Sequence, residues 1–178
     1  MNTFEYVQDF SLLELTARKY KINGIDNTKL ADEVLKFIND RMSNDPNSNL
    51  SEDSKLDIAP GSETEKLIKA VDQIGALKNY KTDFAWGQIH RPLESTNTHN
   101  HGISPFAWVY YVKVPPGSGD LTFWFLNRFR YSIKPEEGSL ILFPGWMDHS
   151  VSKNRGDYIR ISVSGNFIEA DGQKFVYG

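Results

Sequence analysis

The sequence contains no cysteine, which removes disulfides, thiolate metal sites and cysteine nucleophiles together. It has no apolar run near the ~18 residues that a membrane span requires. Its opening, Met1-Asn2-Thr3-Phe4-Glu5, lacks the charged-then-apolar layout of a secretory signal. Basic clusters are missing too: Arg128, Arg130 and Lys134 are scattered, and the formal net charge is -3. Phosphate backbones and anionic lipid surfaces call for concentrated positive charge, so neither a nucleic-acid nor a membrane partner is expected. These absences together predict a soluble cytoplasmic protein.

What is present points to β-structure. Aromatic residues make up 13% of the 178 residues and crowd between Phe84 and Tyr131, a density that suits flat packing on pleated sheets. The length suits one domain over residues 1–178, with residues 1–80 mostly helical and residues 84–168 forming a β core. In the first part, Asn27-Thr28 precedes Leu30, Val34, Leu35, Phe37 and Ile38, which recur at helical spacing to about Met42. Asn44 to Pro60 reads as an exposed loop, and a second helix is expected from Glu63 to about Leu77. Both helices are expected to cover one face of a sheet. The second part alternates turns (Pro115–Gly119, Pro135–Gly138, Lys153–Gly156) with β-prone stretches at 84–89, 106–114, 121–125, 139–143 and 158–167. Short strands at this turn density indicate a sandwich or barrel rather than a βαβ fold.

Chemistry-bearing residues are few, and their spacing is informative. The four histidines are His90, His99, His101 and His149. On an extended segment His99 and His101 project from one face. His149 follows a strand and the Pro144-Gly145 turn. Three imidazoles from neighbouring strands can occupy one face of an octahedral metal and leave the other open. Further on, Arg160, Ser162, Ser164 and Asn166 share one face of a strand, while Ile161, Val163 and Phe167 lie on the other. If that polar face turns inward, Arg160 is costly unless an anion neutralises it.

Trp86 to Asn166, about half the chain, resembles the 2-oxoglutarate/Fe(II)-dependent oxygenase superfamily, most of all its phage and bacterial prolyl-hydroxylase-like branch. The resemblance is carried by His99-Asn-His101, Val109-Tyr-Tyr-Val-Lys-Val-Pro115, Gly117-Ser-Gly-Asp-Leu121, Pro135-Glu-Glu-Gly138, Leu142-Phe-Pro144, His149-Ser-Val151 and Arg160-Ile-Ser162 in one order and spacing. It implies a mainly β fold, a jelly-roll (double-stranded β-helix) core with the N-terminal helices packed on one face. It implies His99, His101 and His149 as iron ligands and Arg160, with Ser162 beside it, as the clamp for the distal carboxylate of 2-oxoglutarate. Arginine suits that role because its planar fork grips a carboxylate through two parallel hydrogen bonds. Tyr111, which with Ala107 and Val109 shares the parity of His99 and His101, is preferred over Tyr110 as a further donor; a bulge between them would reverse the choice. The implied chemistry uses Fe(II), 2-oxoglutarate and O2, with ascorbate a candidate accessory reductant, and hydroxylates a substrate with release of succinate and CO2. A prolyl or other amino-acid residue is the substrate suggested by that analogy. If the source is viral, the location is the host cytoplasm.

The superfamily's usual middle ligand is a carboxylate, where this chain has His101. Direct ligation by His101 is favoured; a water or Asp148 completing the site, or loss of iron chemistry, stay open. Asp120 is read as a turn residue. Trp86 and Gln88 share a parity that suits pocket lining, and His90 is expected at the rim or surface. Trp108, Phe123, Trp124, Phe125 and Phe143 are expected to pack the barrel, and Trp146 to stand at the pocket mouth. Two rival readings remain. One is a cupin-type metal protein, such as a thiol dioxygenase, which has no need of Arg160; the other is a jelly-roll interaction protein whose histidines only pack. A homodimer contact through the helical part is a further open point.

Overall fold

The computed structural model describes residues 16–44, 56, 58–74, 79–126 and 128–170. Along the chain come β1 (Arg18–Lys21), α1 (Asn27–Asn44), α2 (Glu63–Asp72), β2 (Tyr80–His90), β3 (Thr96–His99), β4 (Phe106–Lys113), β5 (Leu121–Phe125), β6 (Phe129–Ile133), β7 (Ser139–Pro144), β8 (His149–Val151) and β9 (Arg160–Glu169). Two antiparallel sheets result, ordered β1-β7-β4-β9-β2 and β3-β8-β5-β6. Their face-to-face arrangement is the expected jelly roll.

Strands β4 and β7 of the larger sheet serve two cores. On β9, Ile161, Val163 and Phe167 face outward and pack under the helices with Trp108, Tyr110, Leu140 and Leu142. The helices bring Leu30, Val34, Ile38, Leu67 and Val71 to that layer, all essentially buried. Each such aliphatic side chain contributes ~1.5–3 kcal/mol by leaving water. The opposite faces of β4 and β7, with β5 and β8, enclose a second cluster between the sheets: Ala107, Val109, Tyr111, Phe123, Ile141 and Phe143. Gly165 on β9 makes room for the outer core, because a Cβ there would lie 2.4 Å from the Trp108 ring.

Several expectations need correction. The Asn27-Thr28 pair does not precede α1 but opens it, and the short polar side chain of Asp26 caps the helix, its Oδ1 accepting from the N–H groups of Thr28 and Lys29. Helix α2 ends at Asp72 with Gln73 as its C-cap and Ile74 outside it, so the helix expected to about Leu77 stops short; residues 75–78 lie outside the described residues. Its start is fixed twice, by the Ser62 side chain accepting from Glu65 N–H and by Glu33 of α1 accepting from Glu63 and Thr64 N–H. The first 80 residues are not helical throughout, since β1 adds an edge strand to the larger sheet against β7. Most of the expected loop from Asn44 to Pro60 is outside the described residues. Leu56 within it is buried, with its N–H bonded to Ala85 O at 2.7 Å. Phe123 and Phe143 do pack inside, but Trp124 and Phe125 are half-buried and line an open groove with Phe129 and Tyr131.

Candidate functional site

The expected histidines come together. One ring nitrogen from each of His99, His101 and His149 lies within 4.8 Å of the others. His99 ends β3 and is the ladder partner of His149, which begins β8. His101 is not on the strand. It sits two residues past it, held by its N–H donating to Gly145 O at 2.7 Å. Gly145 is required there, since a Cβ would meet Ser104 O at 2.0 Å. The two turns that carry His101 and lead to His149 are therefore in direct backbone contact.

The imidazoles are oriented by carbonyls. His149 Nδ1 lies 2.9 Å from Met147 O and His99 Nδ1 lies 2.9 Å from Asn97 O, so each Nδ1–H donates and each Nε2 keeps its lone pair. His101 Nε2 and His149 Nε2 face each other at 3.3 Å, a separation that calls for a proton or a cation between them. Burial, with the neighbouring imidazoles adding to it, pushes His101 down to about 3; burial likewise brings His149 down to about 4. Protonation is thus disfavoured, and a neutral nitrogen donor set suits a divalent transition metal. Asp148 is not part of this cluster; its Oδ1 accepts from Asn100 Nδ2 at 2.8 Å.

Beside the histidines lies a small cavity of about 50 Å³, lined by Trp86, Gln88, Thr96, Val109, Arg160 and Ser164 among others. Arg160 is 1% exposed and has no carboxylate partner among the described residues. Its Nη1 donates to Gly119 O at 3.0 Å, while Nε is buried without a partner. The guanidinium lies 5.1 Å from the Tyr111 ring centre. Tyr111 and Ser162, cross-strand partners, each bury an unbonded hydroxyl. Burial raises Tyr111 to about 12, so its hydroxyl keeps its proton and remains a donor. Tyr110 faces the helices instead and donates to Asn27 Oδ1. The bulge on β4 falls between Tyr111 and Lys113, beyond the point where it would exchange the two tyrosines. Buried donors around an unneutralised guanidinium form a place for a carboxylate.

Two expectations fail here. His90 is not at the rim; it is buried beside Arg160. Trp146 is exposed and does not line the cavity. Sequence reasoning missed Thr96 and Met147, and for Met147 no side-chain signal exists because its carbonyl does the work.

Residues 125–166 match the family described as "Putative 2OG-Fe(II) oxygenase", a span that takes in His149, Arg160 and Ser162. The match makes this stretch similar to 2-oxoglutarate/Fe(II) oxygenases and covers about a quarter of the chain. No curated protein is similar in sequence. Solved structures share its fold. A Pseudomonas putida prolyl-4-hydroxylase has a TM-score of 0.64 at 15% identity, over 88% of this chain and 86% of that one. The non-heme monooxygenase ThoJ, in a nickel complex, has a TM-score of 0.60 at 10% identity, over 87% and 74%. An oxidoreductase of the 2OG-Fe(II) oxygenase family from Burkholderia pseudomallei has a TM-score of 0.51 at 12% identity, over 64% and 61%. No helix among the described residues is long and apolar enough to cross a membrane.

Proposed function

We propose that His99, His101 and His149 hold Fe(II), that Arg160, Ser162 and Tyr111 receive the distal carboxylate of 2-oxoglutarate, and that the enzyme hydroxylates a prolyl or other amino-acid residue. The observation that carries this reading is the buried Arg160, unpaired by any acid among the described residues, in a cavity shared with three clustered imidazoles, with the unbonded hydroxyls of Tyr111, whose ring centre lies 5.1 Å from the guanidinium, and of Ser162 on the same strand face buried behind it. A cupin-type metal protein would have no use for that cation. The prolyl substrate is proposed on the likeness to the prolyl-4-hydroxylase fold, which leaves the substrate open to test.

When bound, the iron supplies the oxygen chemistry: one atom of O2 enters the substrate C–H bond, the other enters succinate, and CO2 leaves. The chain's own contribution is placement. Met147 O and Asn97 O fix two imidazoles with Nε2 inward. Arg160 gives a bidentate grip on a carboxylate, and Tyr111 adds a donor that stays protonated at any working pH. The aromatic walls of Trp86 and Phe143 keep water from the space between.

Succinate formation from 2-oxoglutarate under air, with Fe(II) and ascorbate, tests the reading without knowledge of the substrate. Wild type is expected to turn over slowly, and both Arg160→Ala and His149→Ala to lose this turnover. Wild type that neither forms succinate nor binds 2-oxoglutarate when metal-loaded would shift the assignment to the cupin class.

A further inference from the structure

Strand β2 carries a histidine that the site above leaves without a task. His90 is 3% exposed and is the cross-strand partner of Arg160. Its Nε2 lies 2.8 Å from Thr96 Oγ1, which also accepts from Gln88 Nε2 at 3.2 Å. Its main-chain carbonyl is held by Asn154 Nδ2 at 3.0 Å. This much fixes the ring, yet His90 Nδ1 is buried with no hydrogen-bond partner, as is Arg160 Nε.

The two orphan atoms are complementary. Arginine Nε always carries a hydrogen, whereas a neutral imidazole offers one lone pair, on whichever nitrogen lacks the proton. A proton on Nε2 can be donated to Thr96 Oγ1, which leaves Nδ1 as the acceptor. Burial and the adjacent Arg160 charge hold His90 down at about 4, so the ring is neutral near pH 7. A carboxylate in its place would neutralise the guanidinium and compete with an incoming anion. A neutral acceptor orients the fork and leaves its charge for the ligand.

Resting on the co-substrate reading above, we propose that His90 is the positioning residue for Arg160. Protonated on Nε2, it receives the Arg160 Nε–H on Nδ1 when a carboxylate draws the guanidinium into its bound orientation, and the Nη groups are thereby turned to the ligand.

The test pairs two substitutions with 2-oxoglutarate titrations of the Mn(II)-loaded protein. His90→Asn places an oxygen near the Nδ1 position, and His90→Gln places a polar atom near the Nε2 position only. Loss of one charge-assisted hydrogen bond predicts a dissociation constant raised about tenfold in His90→Gln and within about threefold of wild type in His90→Asn. The rate of uncoupled succinate formation at saturating 2-oxoglutarate is expected to stay near wild type in both. Equal binding by His90→Gln and wild type, or equal weakness of the two variants, overturns the assignment. Arg160→Ala is the control: if it binds 2-oxoglutarate like wild type, the co-substrate reading itself has failed, whatever His90 does. Nitrogen-15 NMR of unmutated protein supplies a readout independent of variant folding. The Nε2–H tautomer in the 2-oxoglutarate complex supports the proposal, and the Nδ1–H tautomer overturns it.

Discussion

At the scale of single residues, the site is defined by polar atoms that the protein alone leaves unbonded. Tyr111 gives a prediction in which stability and binding move in opposite directions. Its hydroxyl is buried without a partner, so Tyr111→Phe relieves a desolvation cost in the ligand-free protein and stabilises it by about 1 kcal/mol. The same change removes one donor from the carboxylate site and weakens 2-oxoglutarate roughly five- to tenfold. Urea denaturation of the apo-protein and a 2-oxoglutarate titration check the two signs; loss of stability with unchanged affinity would make Tyr111 a packing residue only. The inward parity of Arg160 was legible from alternation, because β9 has one apolar face to set the phase; β4 is apolar on both faces, so Tyr111 was preferred over Tyr110 only on its parity with the histidines. The burial of His90 was not. It depends on Arg160 and Thr96 coming from strands far apart in sequence, and nothing local to Ile89-His90-Arg91 marks the ring as enclosed.

Among the elements, the turns decide whether three imidazoles meet. The Gly102–Ser104 turn after His101 and the Pro144–Met147 turn before His149 touch through Gly145, whose carbonyl accepts from His101 N–H and whose missing side chain admits Ser104 O. Gly145→Ala is expected to part these turns, costing about 1–3 kcal/mol of stability through overpacking and weakening metal binding at least tenfold. Metal titration followed by circular dichroism of the variant distinguishes this from global unfolding; unchanged affinity would show that His101 is placed by other contacts. The strands rich in buried apolar residues, β4, β5, β7 and β9, were readable from sequence. Strands β1 and β6 were not, because they are edge strands whose side chains are nearly all exposed and so carry no burial pattern. Strands β3 and β8 are short, and their pairing rests on His99 opposite His149 rather than on hydrophobic alternation.

For the whole molecule, two cores share the larger sheet, one under the helices and one between the sheets. Only the inner one adjoins the site. Ligands that bind there are expected to raise the melting temperature in additive steps, first with metal and then with 2-oxoglutarate, each by mass action on the folded state. Arg160→Ala is expected to keep the metal step and lose the second; differential scanning fluorimetry with Mn(II) reads both. If the variant kept both steps, the carboxylate would have to be held elsewhere. The layered architecture could be inferred from the switch between helical and alternating periodicity. The location of the cavity required the register of β9 against both β2 and β4, a relation between segments that composition does not encode.

The gradient of exposure along that cavity has a kinetic meaning. Arg160 is buried, while His99 and His101 are partly open to solvent. A ligand resting against the guanidinium is therefore expected to enter and leave past the imidazoles. On the proposed function, co-substrate and substrate are expected to queue: the dicarboxylate is seated before the target arrives, and the spent dicarboxylate departs after the product has moved aside.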